Sequence, residues 1–201
     1  VGMSFAANSS LADVAYTGGA TPIAVLLSRT GTALVVLLLL LGIQGAKVTV
    51  PKQRRWGASV AGLFFASYAF CVMFSIQYLP VGVVIATFYV FPILIAVLEW
   101  FSGRHAFNFR TVAALGLAFM GIVLAQNVFG ATWHGLGIAL CLFGAISVTI
   151  VIIISSRLAS GTDSRPLTLH MLAIAMAIFV VTAVVYGDVR LPGTSFAWFG
   201  F

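Results

Sequence analysis

The chain has 201 residues, 62% of them hydrophobic and 7% charged, whereas soluble domains carry roughly 45–50% apolar and about 25% charged residues. Too few polar side chains remain to cover a water-soluble fold, so the composition excludes one and makes the bilayer the natural solvent. Ten Lys and Arg against four Asp and Glu give a net charge of +6; these cations stand mostly in gaps between apolar runs, without interleaved aromatics, which argues for membrane topology and against nucleic-acid binding.

A helix needs about 20 residues to cross the hydrocarbon layer. Windows of that length predict spans near 1–17, 21–44, 56–79, 81–101, 110–128, 135–156 and 166–187, with another opening at 192. In the first, Ser9, Asp13, Tyr16 and Thr17 fall on one helical face. A carboxylate at that depth is costly unless it looks into a bundle or cavity. Asp13 is therefore read as a proton site, as a ligand for a substrate amine, or as an ion-pair partner. Gly18, Gly19 and Thr21-Pro22 then turn the chain tightly into the second span, making the two a hairpin.

Arg29 lies about eight residues into that second span, where an unpaired Arg costs about 2.5–3.5 kcal/mol. Two readings stay open: it attracts an anionic group such as an amino-acid carboxylate, or it fixes the first hairpin through Asp13 or backbone carbonyls. The third span carries Tyr68, Cys71, Ser75 and Tyr78 on one face, and the fourth carries Tyr89, Pro92, Ala96 and Glu99. Pro92 removes a backbone donor and frees a carbonyl, so it is the candidate helix break. Such faces are read either as packing or as the wall of a cavity. Asp13, Arg29, Tyr68, Ser75 and Tyr89 are the candidates to line a substrate path.

Leu79-Pro80 joins the third and fourth spans in a second hairpin. Ala58 with Gly62, Ala114 with Ala118 and Ala173 with Ala177 place small residues four apart, which lets helices approach closely, within one chain or between copies in a homo-oligomer. His170 sits about one turn inside the seventh span, as an interfacial residue or one that titrates with a transport cycle. Cys71 and Cys141 lie inside apolar runs and are read as small core residues.

No cofactor, metal or catalytic centre is expected. His105, His134 and His170 stand far apart, and the chain has neither a P-loop nor a GxGxxG. The absence of an initiator Met at Val1 and the apolar end at 196–201 lead us to expect a piece of a longer chain.

The charges set the orientation. Lys47, Lys52, Arg54 and Arg55 follow the second span, Arg104 and Arg110 the fourth, and Arg157 and Arg165 the sixth. All eight fall on one side, against Arg190 on the other. Positive residues favour the cytoplasm, so an inner or plasma membrane protein with a cytoplasmic N-terminus is expected.

The order of these features resembles the EamA-type branch of the drug/metabolite transporter superfamily. The resemblance runs through Asn8 to Asp13, Thr21-Pro22 to Arg29, Tyr78-Leu79-Pro80, Phe91-Pro92 and Ala114 to Gly121. It implies an all-α bundle of ten helices in two inverted five-helix repeats, with substrate held between the halves and exposed to each side in turn. The first repeat would be residues 1–128, and 129–201 would begin the second. The implied activity is export of small organic metabolites, amino acids or related compounds, from a protein whose partners are solute and lipid. The chain departs from the family in two places: Asp13 stands where a basic residue is common, and Gly103-Arg104-His105 where Gly-Glu-Arg often follows the fourth helix. The alternative from a different class is a membrane scaffold or receptor-like bundle whose polar residues only specify packing.

Overall fold

The structure is a computed structural model, and it describes residues 15, 18–45, 49–102, 109–125, 134–160, 163–187 and 189–191. Seven helices run through these residues: α1 (Pro22–Ile43), α2 (Lys52–Ser75), α3 (Val81–Phe88), α4 (Phe91–Phe101), α5 (Phe109–Ala125), α6 (Gly135–Ala159) and α7 (Arg165–Tyr186). With α3 and α4 taken as one stretch, five spans are long and apolar enough to cross a membrane, and α5 is a shorter apolar helix. An all-helical answer follows from the solvent: lipid offers no hydrogen bonds, so each segment must satisfy its own backbone. Of the predicted first span only Ala15 is described, helical and fully buried, and the span predicted from 192 lies outside the described residues.

The ends of the helices have local causes. Thr21-Pro22 starts α1 with proline in the first turn, where its missing N–H is not needed. At the far end of α7, Gly187 takes the left-handed conformation (φ 66°) and donates its N–H to the Ala183 carbonyl, the glycine stop of a helix. Helix α2 begins a turn earlier than its apolar run, at Lys52, because charged side chains of a first turn can reach the aqueous boundary.

The predicted fourth span is not continuous. It breaks at Tyr89-Val90, between α3 and α4. Pro92 cannot return a hydrogen bond to the Phe88 carbonyl four residues back, so the disturbance appears upstream of the proline itself. The turn tightens there: Tyr89 N donates to Ile85 O at 2.9 Å, but Val90 N reaches only Thr87 O, at 3.3 Å. Thr149 of α6 lies beside the break; its hydroxyl bonds Ala145 O at 2.7 Å, and Phe91 O is 3.5 Å away.

Helix α2 is the centre of the bundle, packed along α6 and α7. Helix α1 lies mainly on α7, and α3 and α4 lie on α6. The third and fourth predicted spans thus form a hairpin by connection, while their main packing partners lie elsewhere. The principal core joins Val25 and Leu26 of α1, Val72 of α2, Phe88 of α3, Cys141 of α6 and Phe179 of α7. Phe179 meets Phe70 edge-on, with ring centroids 5.0 Å apart. Apolar side chains such as Leu39, Leu117 and Val184 face outward, as lipid contact requires.

Of the three small-residue pairs, Ala58 and Gly62 are buried against α7. Ala114 with Ala118 and Ala173 with Ala177 are exposed on the outer faces of α5 and α7. The spacing alone does not tell which face of a helix meets a neighbour.

The polar contacts define two ends. At one, Arg54 donates to the Leu158 carbonyl, Arg165 donates to Gln44 Oε1, and Arg165 pairs with Asp163 at 2.7 Å. At the other, Thr21 N donates to Arg190 O at 3.1 Å, Arg190 N donates to Thr21 Oγ1 at 3.2 Å, and Tyr78 stacks on His134. Lys52, Arg54, Arg55, Arg157 and Arg165 therefore share one end, and Arg190 lies at the opposite one. Hydrogen bonds from the Arg165 side chain and backbone hold the Asp163 carboxyl below its ordinary range. That contribution is present above the ordinary carboxylate pKa of about 3.9 and is lost as pH falls through the lowered value. Both partners are exposed, so Asp163→Asn is expected to leave the melting temperature at pH 7 unchanged within error. A clear drop in a thermal scan would overturn that expectation.

Candidate substrate path

Two residues of α1 open the central cavity. Arg29, half-buried, and Thr30, buried, follow each other on the helix and line a space of about 140 Å³ with Ala33. Helix α2 supplies the facing wall with Phe65, Tyr68, Ala69 and Val72, and α7 supplies Leu172. Tyr68 is held by its ring: Phe65 meets it edge-on at 5.1 Å, and Phe88 stacks on it at 5.9 Å. Arg29, Thr30 and Tyr68 are the polar residues of a described lining that is otherwise apolar. Fixed donors of that kind orient a small solute while the apolar lining excludes competing water.

Two further cavities share these helices. One of about 370 Å³ lies at the Arg190 end, lined by Thr21, Ile23, Phe74, Gln77, Thr182 and Tyr186. The other, about 170 Å³, lies at the cation-rich end and is lined by Val50, Arg54, Leu158, Asp163, Pro166 and Leu167.

A model of the EamA-like transporter family matches residues 1–126, well over half of the chain. The chain belongs to that family. No curated protein matches it. The EamA-like transporters are part of the drug/metabolite transporter superfamily, a group of membrane transporters and not of enzymes.

In this EamA-like chain the predicted path residues are only partly together. Arg29 and Tyr68 share the central cavity. Ser75 does not line it: its side chain is fully buried and its hydroxyl donates to the Val72 carbonyl at 2.7 Å. Tyr89 stands at the break before α4, its ring near those of Phe88 and Phe91, at 6.4 and 5.9 Å. Asp13 lies outside the described residues. The expected face of Tyr68, Cys71, Ser75 and Tyr78 ends with α2 at Ser75, and Tyr78 leaves it for the turn and the His134 ring. The break likewise detaches Tyr89 from the face that holds Pro92, Ala96 and Glu99.

Sequence reasoning missed Thr30 and Ser59. Thr30 gave one signal, its place next to Arg29 in an apolar run. Ser59 gave none, because its partner is His170, 111 residues away, with Oγ and Nε2 3.0 Å apart.

Proposed function

We propose that this EamA-like chain exports small organic metabolites, amino acids or related carboxylates, across an inner or plasma membrane by alternating access. The observation that supports this most directly is the central cavity, which Arg29 and Thr30 of α1 and Tyr68 of α2 line together. Its volume of about 140 Å³ is below the roughly 300–1,000 Å³ of sites for drug-sized ligands, which favours a small solute. A half-buried guanidinium favours one that carries a carboxylate. The gathering of cations at one end supports a cytoplasmic placement of that end and of the N-terminus. In this reading residues 1–128 form the first repeat and 129–201 begin the second, inverted one.

The test is transport by the whole protein in sealed inside-out vesicles. Labelled amino acids are expected to accumulate in the lumen, and neutral analogues that lack the carboxylate are expected to compete poorly. Repeating the assay with an imposed pH gradient separates proton coupling from exchange. If no small solute moves in either direction, the reading is lost. If in addition exchanging the charges of Asp13 and Arg29 restores folding to the single variants, the polar residues serve packing, as in a scaffold.

A further inference from the structure

The cavities follow one another along the seam between α2 and α7. From the cation-rich end, α2 contributes Arg54 to the first, Phe65 to Met73 to the central one, and Phe74 to the third, with Gln77 added from the turn that follows. The central and third cavities are lined by consecutive residues, Met73 and Phe74. Between the first and the central cavity, by contrast, stands a block of packed protein. Ala58 and Ala61 of α2, Leu167 and Met171 of α7 and Val151 of α6 form a second buried apolar cluster. Phe65 borders that cluster and lines the central cavity, while Leu167 belongs to the cluster, Leu158 borders it, and both line the first. The cluster is the wall between the two spaces.

Its construction suits a contact that opens. Small residues of α2, Ala58, Ala61 and Gly62, bring it close to α7. At Gly62 the approach is so close that a Cβ would lie 2.9 Å from Ile174 Cβ and 3.0 Å from the Met171 carbonyl oxygen. Across this apolar contact runs the Ser59–His170 hydrogen bond. Each group gives up water to make such a pair, so the pair favours the closed contact by a modest net amount. In a seam that separates and floods, water takes over both groups, and the bond re-forms on closing.

We propose that the α2–α7 contact around Ser59, Gly62, His170 and Ile174 is the gate that closes the central cavity from the cation-rich face. The structure then holds the path shut on that side. The proposal rests on the transport reading, because a gate has meaning only where a solute passes.

The test uses the whole protein with Cys71→Ala and Cys141→Ala, and a reporter Ala69→Cys in the central cavity. An impermeant methanethiosulfonate reagent is added from either side of oriented vesicles. Ser59→Ala removes the hydrogen bond, and labelling from the cation-rich face is expected to rise by about tenfold, the effect of one lost hydrogen bond on a two-state balance. Labelling from the opposite face should stay level or fall, and Ser59→Thr, which keeps the hydroxyl, should return the parent rate. Equal acceleration from both faces would mean a loosened bundle, and an unchanged rate would mean static packing. Either overturns the gate and leaves transport standing. A reporter that labels from neither face in any variant would remove the water-filled path, and the transport reading falls with it.

Discussion

Arg29→Ala is expected to lower kcat/KM for a carboxylate-bearing solute by about 30-fold or more, with the protein still folded. Removing one member of a hydrogen-bonded charge pair in a desolvated site costs roughly 2–5 kcal/mol, and each ~1.4 kcal/mol is tenfold. Arg29 stands in the first half of α1 and lines a chamber whose other described lining residues include no lysine or arginine to replace it. Arg29→Lys keeps the charge and loses the planar fork, and should fall between the parent and the alanine variant. The measurement is initial transport rate against solute concentration, normalised to folded protein, beside a thermal scan. A variant that transports like the parent would remove Arg29 from the site. A variant that melts early yet transports normally per folded molecule would make it a structural residue.

The second large effect is expected at Gly62. Gly62→Val adds three carbons where the first already falls 2.9 Å from Ile174 Cβ and 3.0 Å from a main-chain oxygen. A backbone carbonyl cannot swing aside, so α2 and α7 must move apart. Overpacking of this kind costs typically 1–3 kcal/mol, more than the few tenths valine gains over glycine in helix propensity. Cohesion between helices in lipid comes largely from close packing, so the lost contact is not recovered by a hydrophobic term. Ala177→Val, on the exposed face of α7, should stay within about 0.5 kcal/mol. Thermal unfolding of both in one detergent tests the pair, and a Gly62 variant as stable as the parent would show that the approach is looser than 2.9 Å.

These two alanine-and-glycine patterns also mark how far the sequence could be read. Ala58-Gly62 and Ala173-Ala177 give the same spacing, and only the packed bundle distinguishes the buried pair from the exposed one. Existence of the five membrane-length spans was legible, because bilayer thickness dictates length and lipid forbids polar faces. Their partners were not: α2 pairs mainly with α6 and α7 through shape, which leaves no periodic trace. Pro92 announced a break, yet the break lies at Tyr89-Val90 because the lost hydrogen bond points backward along the chain. Of the central cavity's lining, Arg29 stood out as a charge in an apolar run and Tyr68 as a polar aromatic. Thr30 was silent, since a threonine in such a run breaks no pattern. Ser75 was misleading for the related reason that a membrane serine can satisfy itself on its own helix, as its bond to Val72 does.

The contacts at the two ends of the bundle have a mechanical consequence. Helices α1 and α7 are pinned to each other twice, through Thr21 and Arg190 at one membrane face and through Gln44 and Arg165 at the other. Helices α2 and α6 are pinned likewise, by Tyr78 on His134 and by Arg54 on Leu158. A pair of rods bolted at both ends moves as one strut. Each strut joins a rod from the first half of the sequence to one from the second, so the stiff units of the bundle are set by contacts between distant parts of the chain and not by neighbourhood along it.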